Sequence, residues 1–282
     1  MQIIKNRSVK STYHAKPIVT DTIYIKDNTK KPIVIFCHGY KGYKDWGAWN
    51  LAAKVFAKKK LFFVKFNFSH NGGTVNETID FPDLEAFGNN NFIKELNDLE
   101  DIIDWVTTNP DFKNEIDSNN ITLIGHSRGG GIVSIKASEN KKVKKVITWA
   151  GVSDYGARFP KGEQLEVWEK EGISYILNSR THQKMPHLYL FYQNFKDNEA
   201  RLTIKNAVSK LKIPHLIIHG ENDEVVLPIE AKNLHSWNPK SELIFINNMN
   251  HPLGCTQPWG KLTIPIHLKK VVKHSIEFIL RK

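Results

Sequence analysis

Short apolar runs alternate with longer segments of helical periodicity along most of this 282-residue chain. This alternation is typical of parallel strands joined by crossover helices, and continuous apolar runs are typical of strands that are covered on both faces. The pattern therefore predicts an α/β fold with a mostly parallel central sheet between two layers of helices. The predicted strands are 18–25, 33–37, 62–68, 121–124, 146–149, 215–219 and 243–246.

Three segments place apolar side chains three or four residues apart, as a helix with one buried face requires. These predicted helices are 46–59, 92–106 and 267–280. Because a chain of this length with 40% hydrophobic residues can bury one large core, we predict a single domain spanning 1–282. The segment from 152 to about 211 is longer than an ordinary crossover connection and is predicted to form a small helical cap.

A G-x-S-x-G motif, Gly125 to Gly129, directly follows the predicted strand 121–124 and opens a helical segment. Glycines on both sides allow a sharp turn between a strand and a helix, and such a turn leaves the central hydroxyl exposed. The motif is short enough to arise by chance, so it needs a histidine and a carboxylate further along the chain. On this condition the motif predicts Ser127 as a nucleophile.

A serine hydroxyl is a weak nucleophile near neutral pH unless an imidazole takes its proton and a carboxylate orients that imidazole. His251 follows the predicted strand 243–246, on a loop at the carboxyl end of the sheet. Asp223 and Glu221 both lie on the loop after strand 215–219, where functional groups of open α/β sheets gather. From position alone, either carboxylate fits the role of orienting His251.

Hydrolysis through a serine also requires two donors for the oxyanion that forms in the transition state. The backbone N–H of the residue after the nucleophile is one of them, which predicts Arg128. The loop after strand 33–37 begins with a His-Gly pair, and we predict the N–H of Tyr40 as the second donor. The hydroxyl of Tyr40 or Tyr43 is an alternative donor.

The predicted cap is rich in aromatic residues, interrupted by charges and prolines. Aromatic side chains are common in the lining of small-molecule pockets, so they are candidates for a substrate pocket. The alternative is that these rings pack the cap onto the core. The candidates for substrate binding are Tyr155, Phe159, Trp168 and Tyr189.

Four segments together resemble the α/β-hydrolase superfamily, over nearly the whole chain. They are His38-Gly39-Tyr40, the Gly125–Gly130 motif, His219-Gly220-Glu221-Asn222-Asp223 and Asn250-His251. The chain order Ser127, Asp223, His251 is that of this superfamily, and the resemblance favours Asp223 over Glu221. The turn 66–72 is similar to that of dienelactone-hydrolase-like and cinnamoyl (feruloyl) esterase-like members, although it lacks their usual Gly-His-Gly run.

The resemblance implies hydrolysis of a small-molecule carboxylic ester through an acyl-enzyme intermediate, without a cofactor. A serine at position 127 argues against dehalogenases and epoxide hydrolases, which use an aspartate there, and against dienelactone hydrolase activity, which uses a cysteine. No metal is expected, because the histidines are not clustered at ligand spacing. A serine peptidase or acyltransferase on the same triad is the alternative, followed by a non-catalytic binding protein of the same fold.

The formal net charge of +11 could favour nucleic acid, but the basic residues are scattered and no nucleic-acid motif accompanies them. We therefore predict a solvated basic surface and no nucleic-acid partner. The amino-terminal residues lack the apolar core of a signal peptide, no stretch has membrane-spanning length, and only two cysteines are present. These features predict a cytoplasmic protein without a membrane span, and leave a homodimer open.

Overall fold

The computed structural model describes residues 1–281, which form a mixed eight-stranded sheet and a separate two-stranded hairpin. The strands are β1 (Gln2–Val9), β2 (Ile18–Tyr24), β3 (Lys31–Cys37), β4 (Phe62–Asn67), β5 (Ile116–His126), β6 (Val143–Trp149), β7 (Ile173–Leu177), β8 (Lys184–Leu188), β9 (His215–Gly220) and β10 (Glu242–Ile246). The large sheet has the order β1-β2-β4-β3-β5-β6-β9-β10. Its last six strands are parallel, which confirms the predicted mostly parallel sheet.

Helices cover both faces of this sheet. They are α1 (Trp49–Lys58), α2 (Leu84–Gly88), α3 (Phe92–Thr108), α4 (Arg128–Glu139), α5 (Glu163–Glu171), α6 (Leu190–Asp197), α7 (Glu199–Leu202), α8 (Ile204–Lys210), α9 (Pro228–Trp237) and α10 (Ile266–Leu280). Helix α3 begins where the Asn91 side chain accepts a hydrogen bond from the backbone N–H of Lys94, a typical amino-terminal cap. The three predicted helices are present as α1, α3 and α10.

Strand β3 shows why the predicted strands are continuous apolar runs. Ile33, Ile35 and Cys37 pack on one face of the sheet, in a core shared with α3, α4, α8 and α9. Val34 and Phe36 pack on the other face with α1 and α10. All five side chains are buried, and burying an aliphatic or aromatic side chain contributes about 1.5–3 kcal/mol.

The segment predicted as a helical cap, 152 to about 211, contains the helices α5 to α8 and also the antiparallel hairpin β7–β8. A small helical cap was predicted for this segment; four helices are present in it, and the hairpin was not predicted. Helix α5 ends at Gly172, whose φ of 71° is in the left-handed region, and the β-favouring sequence Ile-Ser-Tyr-Ile-Leu follows. Met185 of β8 is buried against Phe81 and Phe87, which attaches the hairpin to the main body.

Strand β1 was not predicted from the sequence. It pairs antiparallel with β2 at the edge of the sheet, and most of its side chains are partly or fully exposed. An edge strand whose two faces are largely exposed does not need a continuous apolar run. The sequence of this segment therefore gives only a weak indication of a strand. Within residues 1–281, no helix has the length and apolar character needed to cross a membrane.

Candidate active site

Ser127 occupies a sharp turn between the end of β5 and the start of α4. Its φ of 55° and ψ of −122° are unusual for a residue with a side chain, and such conformations cost on the order of 1–3 kcal/mol. Neighbouring backbone fixes the turn: the N–H of Ser127 donates to Trp149 O at 3.0 Å, and its carbonyl accepts from Gly130 N at 2.9 Å. The sheet therefore holds the Ser127 hydroxyl at its carboxyl edge.

The two glycines of the motif permit this turn for a steric reason. A Cβ atom at Gly125 would lie 2.2 Å from the carbonyl oxygen of Gly129. A Cβ atom at Gly129 would lie 2.6 Å from the carbonyl oxygens of Cys37 and His38. Any side chain at either position would force the backbone apart, so the close approach of β3, β5 and α4 requires glycine.

The structure brings Ser127, His251 and Asp223 together, and we call these three residues the elbow cluster. His251 Nδ1 lies 2.8 Å from Asp223 Oδ2, and His251 Nε2 lies 2.9 Å from Ser127 Oγ. A carboxylate accepts, so Nδ1 of the imidazole carries the proton and donates it. In the neutral ring Nε2 is then the acceptor for the Ser127 hydroxyl.

Asp223 is almost completely buried behind His251. Burial acts to raise its pKa, but the hydrogen bond and charge of His251 and the N–H groups of Val226 and Val225 outweigh burial and hold the pKa below its usual value. The carboxylate therefore stays ionised against His251. Glu221, the other candidate carboxylate, is exposed and makes no hydrogen bond to His251.

His126, which precedes the serine, points away from the serine hydroxyl and supports the histidine loop. Its Nε2 donates to the backbone carbonyl of His251 at 3.0 Å, and its ring lies against Trp49. Burial lowers the pKa of His126 to about 3, so the ring is neutral. The link joins the β5–α4 turn directly to the loop that carries His251.

The loop after β3 packs closely against the serine. A Cβ atom at Gly39 would lie 2.8 Å from Ser127 Cβ and 3.3 Å from its Oγ. His38 anchors the loop, because its Nδ1 donates to Gly39 O at 2.9 Å and its Nε2 accepts from Phe68 N at 3.3 Å. The backbone of Tyr40 consequently begins next to the Ser127 side chain.

The tyrosine hydroxyls considered as alternative oxyanion donors are hydrogen-bonded to other side chains. Tyr40 Oη lies 2.8 Å from His187 Nε2, and Tyr43 Oη donates to Asp80 Oδ1 at 3.2 Å. Burial raises the pKa of Tyr40 to about 12. The geometry therefore favours the backbone N–H of Tyr40 over either phenol.

The Arg128 side chain lies between aromatic rings at the start of α4. Its guanidinium carbon is 4.6 Å from the ring centroid of Phe92 and 4.9 Å from that of Phe191. Nη2 lies 3.1 Å from Glu95 Oε1, so a carboxylate offsets the buried charge. The side chain is packed beside the site by these contacts. The predicted role of Arg128 as an oxyanion donor therefore concerns its backbone N–H and not its guanidinium.

Two cavities, which share wall residues of the β3 loop, lie beside the serine turn. The larger has a volume of about 310 Å³ and contains the elbow serine and histidine in its wall; the smaller, of about 20 Å³, reaches Arg128 and Glu95. A cavity of 310 Å³ lies at the lower end of the range for small-molecule sites. Its lining is His38, Gly39, Tyr40, Lys41, Gly42, Trp46, Trp49, Phe81, His126, Ser127, Asn178, Arg180, His251, Pro252 and Gln257.

None of the four aromatic residues predicted to bind substrate lines either cavity. Tyr155 stacks on Phe92 with 3.9 Å between ring centroids and donates its hydroxyl to Arg128 O at 2.8 Å. Trp168 donates to the carbonyl of a β8 residue and contacts Phe159 and Tyr189. These rings pack the cap onto the core, which is the alternative interpretation.

Sequence reasoning missed the residues that do form the walls of the larger cavity. Trp46, Trp49 and Phe81 supply its apolar surface, and Asn178 and Arg180 reach it from the hairpin connection between β7 and β8. A polar Asn and Arg in a turn between two short strands are ordinary loop residues in sequence. Only the folding of the hairpin onto the body brings them to the serine.

Solved structures share this architecture. Est1E from Butyrivibrio proteoclasticus aligns with a TM-score of 0.69 at 16% identity over 98% of each chain, and it has also been solved with ferulic acid bound. A hydrolase structure from Agrobacterium vitis aligns with a TM-score of 0.73 at 14% identity over the full length of both chains. The protein is thus an α/β-hydrolase in fold.

Sequence comparison specifies the family. A family model described as BD-FAE matches residues 22–238, well over half of the chain, and the chain belongs to this family. A protein of Mycoplasma genitalium named as an esterase/lipase is 26% identical over 247 residues, covering 80% of this chain and 84% of the relative. On this family membership the protein is a carboxylic ester hydrolase.

Proposed function

We propose that the protein is a serine esterase that works through an acyl-enzyme intermediate. Ser127 Oγ attacks the ester carbonyl carbon while His251 Nε2 takes the hydroxyl proton. The imidazolium then gives this proton to the alkoxide that leaves when the tetrahedral intermediate collapses. A water molecule, deprotonated by His251, attacks the acyl-enzyme, and the released Ser127 regains its proton.

Asp223 has the role of orienting His251 and of stabilising the imidazolium. Its ionised, buried carboxylate holds Nδ1–H, which keeps Nε2 free to accept from the serine. The observation that carries the proposal is the continuous pair of contacts, 2.9 Å from serine to imidazole and 2.8 Å from imidazole to carboxylate. The strained serine turn adds support, because such strain concentrates at functional sites.

The backbone N–H groups of Tyr40 and Arg128 are the proposed oxyanion donors. Neither amide has a hydrogen-bond acceptor within residues 1–281, and both flank the serine. Arg128 is also the first residue of α4, so its N–H carries the positive end of the helix dipole. A carbonyl oxygen in the larger cavity would find two unsatisfied donors as it becomes an oxyanion.

The test is covalent labelling by a fluorophosphonate together with hydrolysis of p-nitrophenyl acyl esters and methyl hydroxycinnamates. The ferulic acid bound to Est1E motivates the second group of substrates. We expect labelling and turnover in the native protein and neither in Ser127→Ala. Ser138→Ala is the matched control, because Ser138 is an exposed residue of the same helix α4.

Two results would contradict the proposal. Full labelling and turnover in Ser127→Ala would exclude this serine as the nucleophile. Turnover of aminoacyl p-nitroanilides, or acyl transfer to an added alcohol, at rates above ester hydrolysis would make the protein a peptidase or an acyltransferase on the same triad.

A further inference from the structure

The larger cavity beside the elbow cluster has an unbalanced charge. Two of its lining residues, Lys41 and Arg180, are cations, and none of the lining residues is Asp or Glu. Two histidines of the wall add no charge, because burial lowers the pKa of His38 to about 4 and that of His126 to about 3, which leaves both rings neutral. The cavity therefore presents positive charge next to the serine.

Lys41 has no counter-charge in the protein. It is partly buried, and within residues 1–281 no carboxylate lies within 4.0 Å of its Nζ, which also has no hydrogen-bond acceptor. Its nearest described partner is the ring of Tyr40, at 5.5 Å from the centroid. An ammonium group that has lost part of its hydration and has no partner is a ready site for a ligand anion.

Arg180 differs from Lys41, since one of its nitrogens is paired. Its Nη2 lies 2.5 Å from Asp80 Oδ1, and Asp80 is not part of the cavity wall. A guanidinium has five N–H donors, so this single contact leaves further donors. The smaller cavity differs, because its wall contains a carboxylate: Glu95 lies beside Arg128 and offsets its charge.

The two amide side chains in the wall are also turned to donate. The carbonyl oxygen of Asn178 accepts from Arg180 N at 3.2 Å, and that of Gln257 accepts from Gly47 N at 2.6 Å. Each side chain also carries an NH₂ group, and neither NH₂ group has an acceptor within residues 1–281, so both remain free to donate. The wall is rich in donors and cations and poor in acceptors.

We propose that the natural substrate is an ester that carries a free carboxylate, which Lys41 and Arg180 bind while the ester carbonyl lies at Ser127. This inference rests on the proposed esterase function and names its substrate class. Trp46, Trp49 and Phe81 give the same cavity apolar walls for the carbon skeleton between the two groups. The volume of about 310 Å³ suits a small ester.

The first experiment compares two matched pairs of chromogenic esters. Mono-p-nitrophenyl glutarate and its methyl ester differ only in a carboxylate on the acyl side; 3-carboxy-4-nitrophenyl butyrate and its methyl ester differ only on the alcohol side. We expect kcat/KM, corrected for alkaline hydrolysis rates, to be about tenfold or more higher for the anionic member of at least one pair. Salt should reduce this ratio. A ratio of one or less in both pairs overturns the proposal.

Lys41→Gln should bring the anionic-to-neutral ratio towards one, and Arg180→Gln should reduce it less. The control is Lys59→Gln, which removes the same charge from an exposed residue after α1, outside both cavities. The ratio in this control should remain that of the native protein. A ratio that is unchanged in both Lys41→Gln and Arg180→Gln, with native circular dichroism, contradicts the assignment of these cations.

A binding measurement separates this inference from the esterase mechanism. In Ser127→Ala we expect mono-p-nitrophenyl glutarate or 3-carboxy-4-nitrophenyl butyrate to bind with a lower Kd than its methyl ester, by quenching of tryptophan fluorescence. Selective binding without turnover in the native protein would refute the proposed mechanism and keep the anion site. Equal Kd values within each pair, together with turnover of neutral esters, would refute the anion site and keep the mechanism.

Discussion

Two regions of the molecule combine serine, histidine and aspartate side chains at hydrogen-bonding distance. One is the elbow cluster. The other, which we call the turn cluster, joins the turn after β4 to α3 and consists of Ser69, Asp98, His14 and His70. Ser69 Oγ donates to Asp98 Oδ2 at 2.8 Å, and His14 Nε2 lies 2.9 Å from Asp98 Oδ1.

The two clusters differ in the order of their contacts. In the elbow cluster the imidazole lies between hydroxyl and carboxylate. In the turn cluster Ser69 Oγ contacts the carboxylate of Asp98 directly, and it also lies 2.7 Å from His70 Nδ1 and 3.1 Å from His14 Nε2. Because the Ser69 hydroxyl donates its single proton to Asp98, the two histidines that contact its oxygen do not take that proton. Ser69 is also buried and lines neither cavity. The order of the contacts and the access of the hydroxyl to a cavity, rather than the residue types, therefore distinguish a nucleophile from a structural hydrogen-bond network.

The largest expected effect distinguishes the two serines. Ser127→Ala should lower kcat on p-nitrophenyl esters by about 10⁶-fold, because the members of a triad act as a unit. Ser69→Ala should keep kcat within a few fold of native and lower the free energy of unfolding by about 1–3 kcal/mol, because Asp98, His14 and His70 all lose their contact with the Ser69 hydroxyl. Steady-state kinetics and urea unfolding measure both. A comparable loss of kcat in both variants would remove the distinction.

The next effect concerns the aspartates. Asp223→Asn should lower kcat by about 10⁴-fold, because an amide no longer holds the required imidazole tautomer. Asp98→Asn should lose about 1–3 kcal/mol of unfolding free energy, because Asp98 accepts from both the hydroxyl and the backbone N–H of Ser69. The kcat per folded molecule should be retained, because Asp98 lines neither cavity. Active-site titration with a fluorophosphonate normalises the rates. High kcat in Asp223→Asn would assign the carboxylate role elsewhere.

The smallest effect is a difference in the pH dependence of stability. The hydrogen bond to Asp98 raises the pKa of His14 in spite of burial. Protonated His14 therefore stabilises the fold fully below about pH 6.5, and this stabilisation is lost as pH rises through the folded-state pKa. Asp223 has a lowered pKa, so its stabilisation is present above the ordinary carboxyl value and is lost as pH falls through the folded-state pKa.

Melting temperatures of His14→Gln and Asp223→Asn, each measured against the native protein from about pH 2.5 to 9, check these opposite signs. The deficit of His14→Gln, about 2–4 °C at pH 6, should shrink towards pH 9. The deficit of Asp223→Asn should shrink towards the acid end. Deficits that stay constant with pH would show that neither group contributes through its charge.

The central sheet was predictable because strands covered on both faces, such as β3, must be apolar at every position. The loops that carry Ser127, Asp223 and His251 were also predictable, since each follows a strand at the same edge of the sheet. Position alone left Glu221 open beside Asp223, and the family resemblance made the choice. Strand β1 escaped prediction because an exposed edge strand carries little apolar signal. The hairpin β7–β8 escaped although the sequence of β7 favours a strand, because the whole segment was predicted as a helical cap. The lining of the larger cavity escaped as well: Asn178 and Arg180 reach it only through packing of the hairpin on Phe81 and its neighbours.

The hydrogen bond from His126 to the carbonyl of His251 has a consequence for heat inactivation. Because it joins the serine turn to the histidine loop, and the serine turn is bonded to Trp149 of β6, the loop has little freedom to detach while the sheet is intact. Loss of activity on heating should then coincide with the cooperative melting of the sheet. The working temperature limit of this protein would be set by its core, with no earlier loosening of the site.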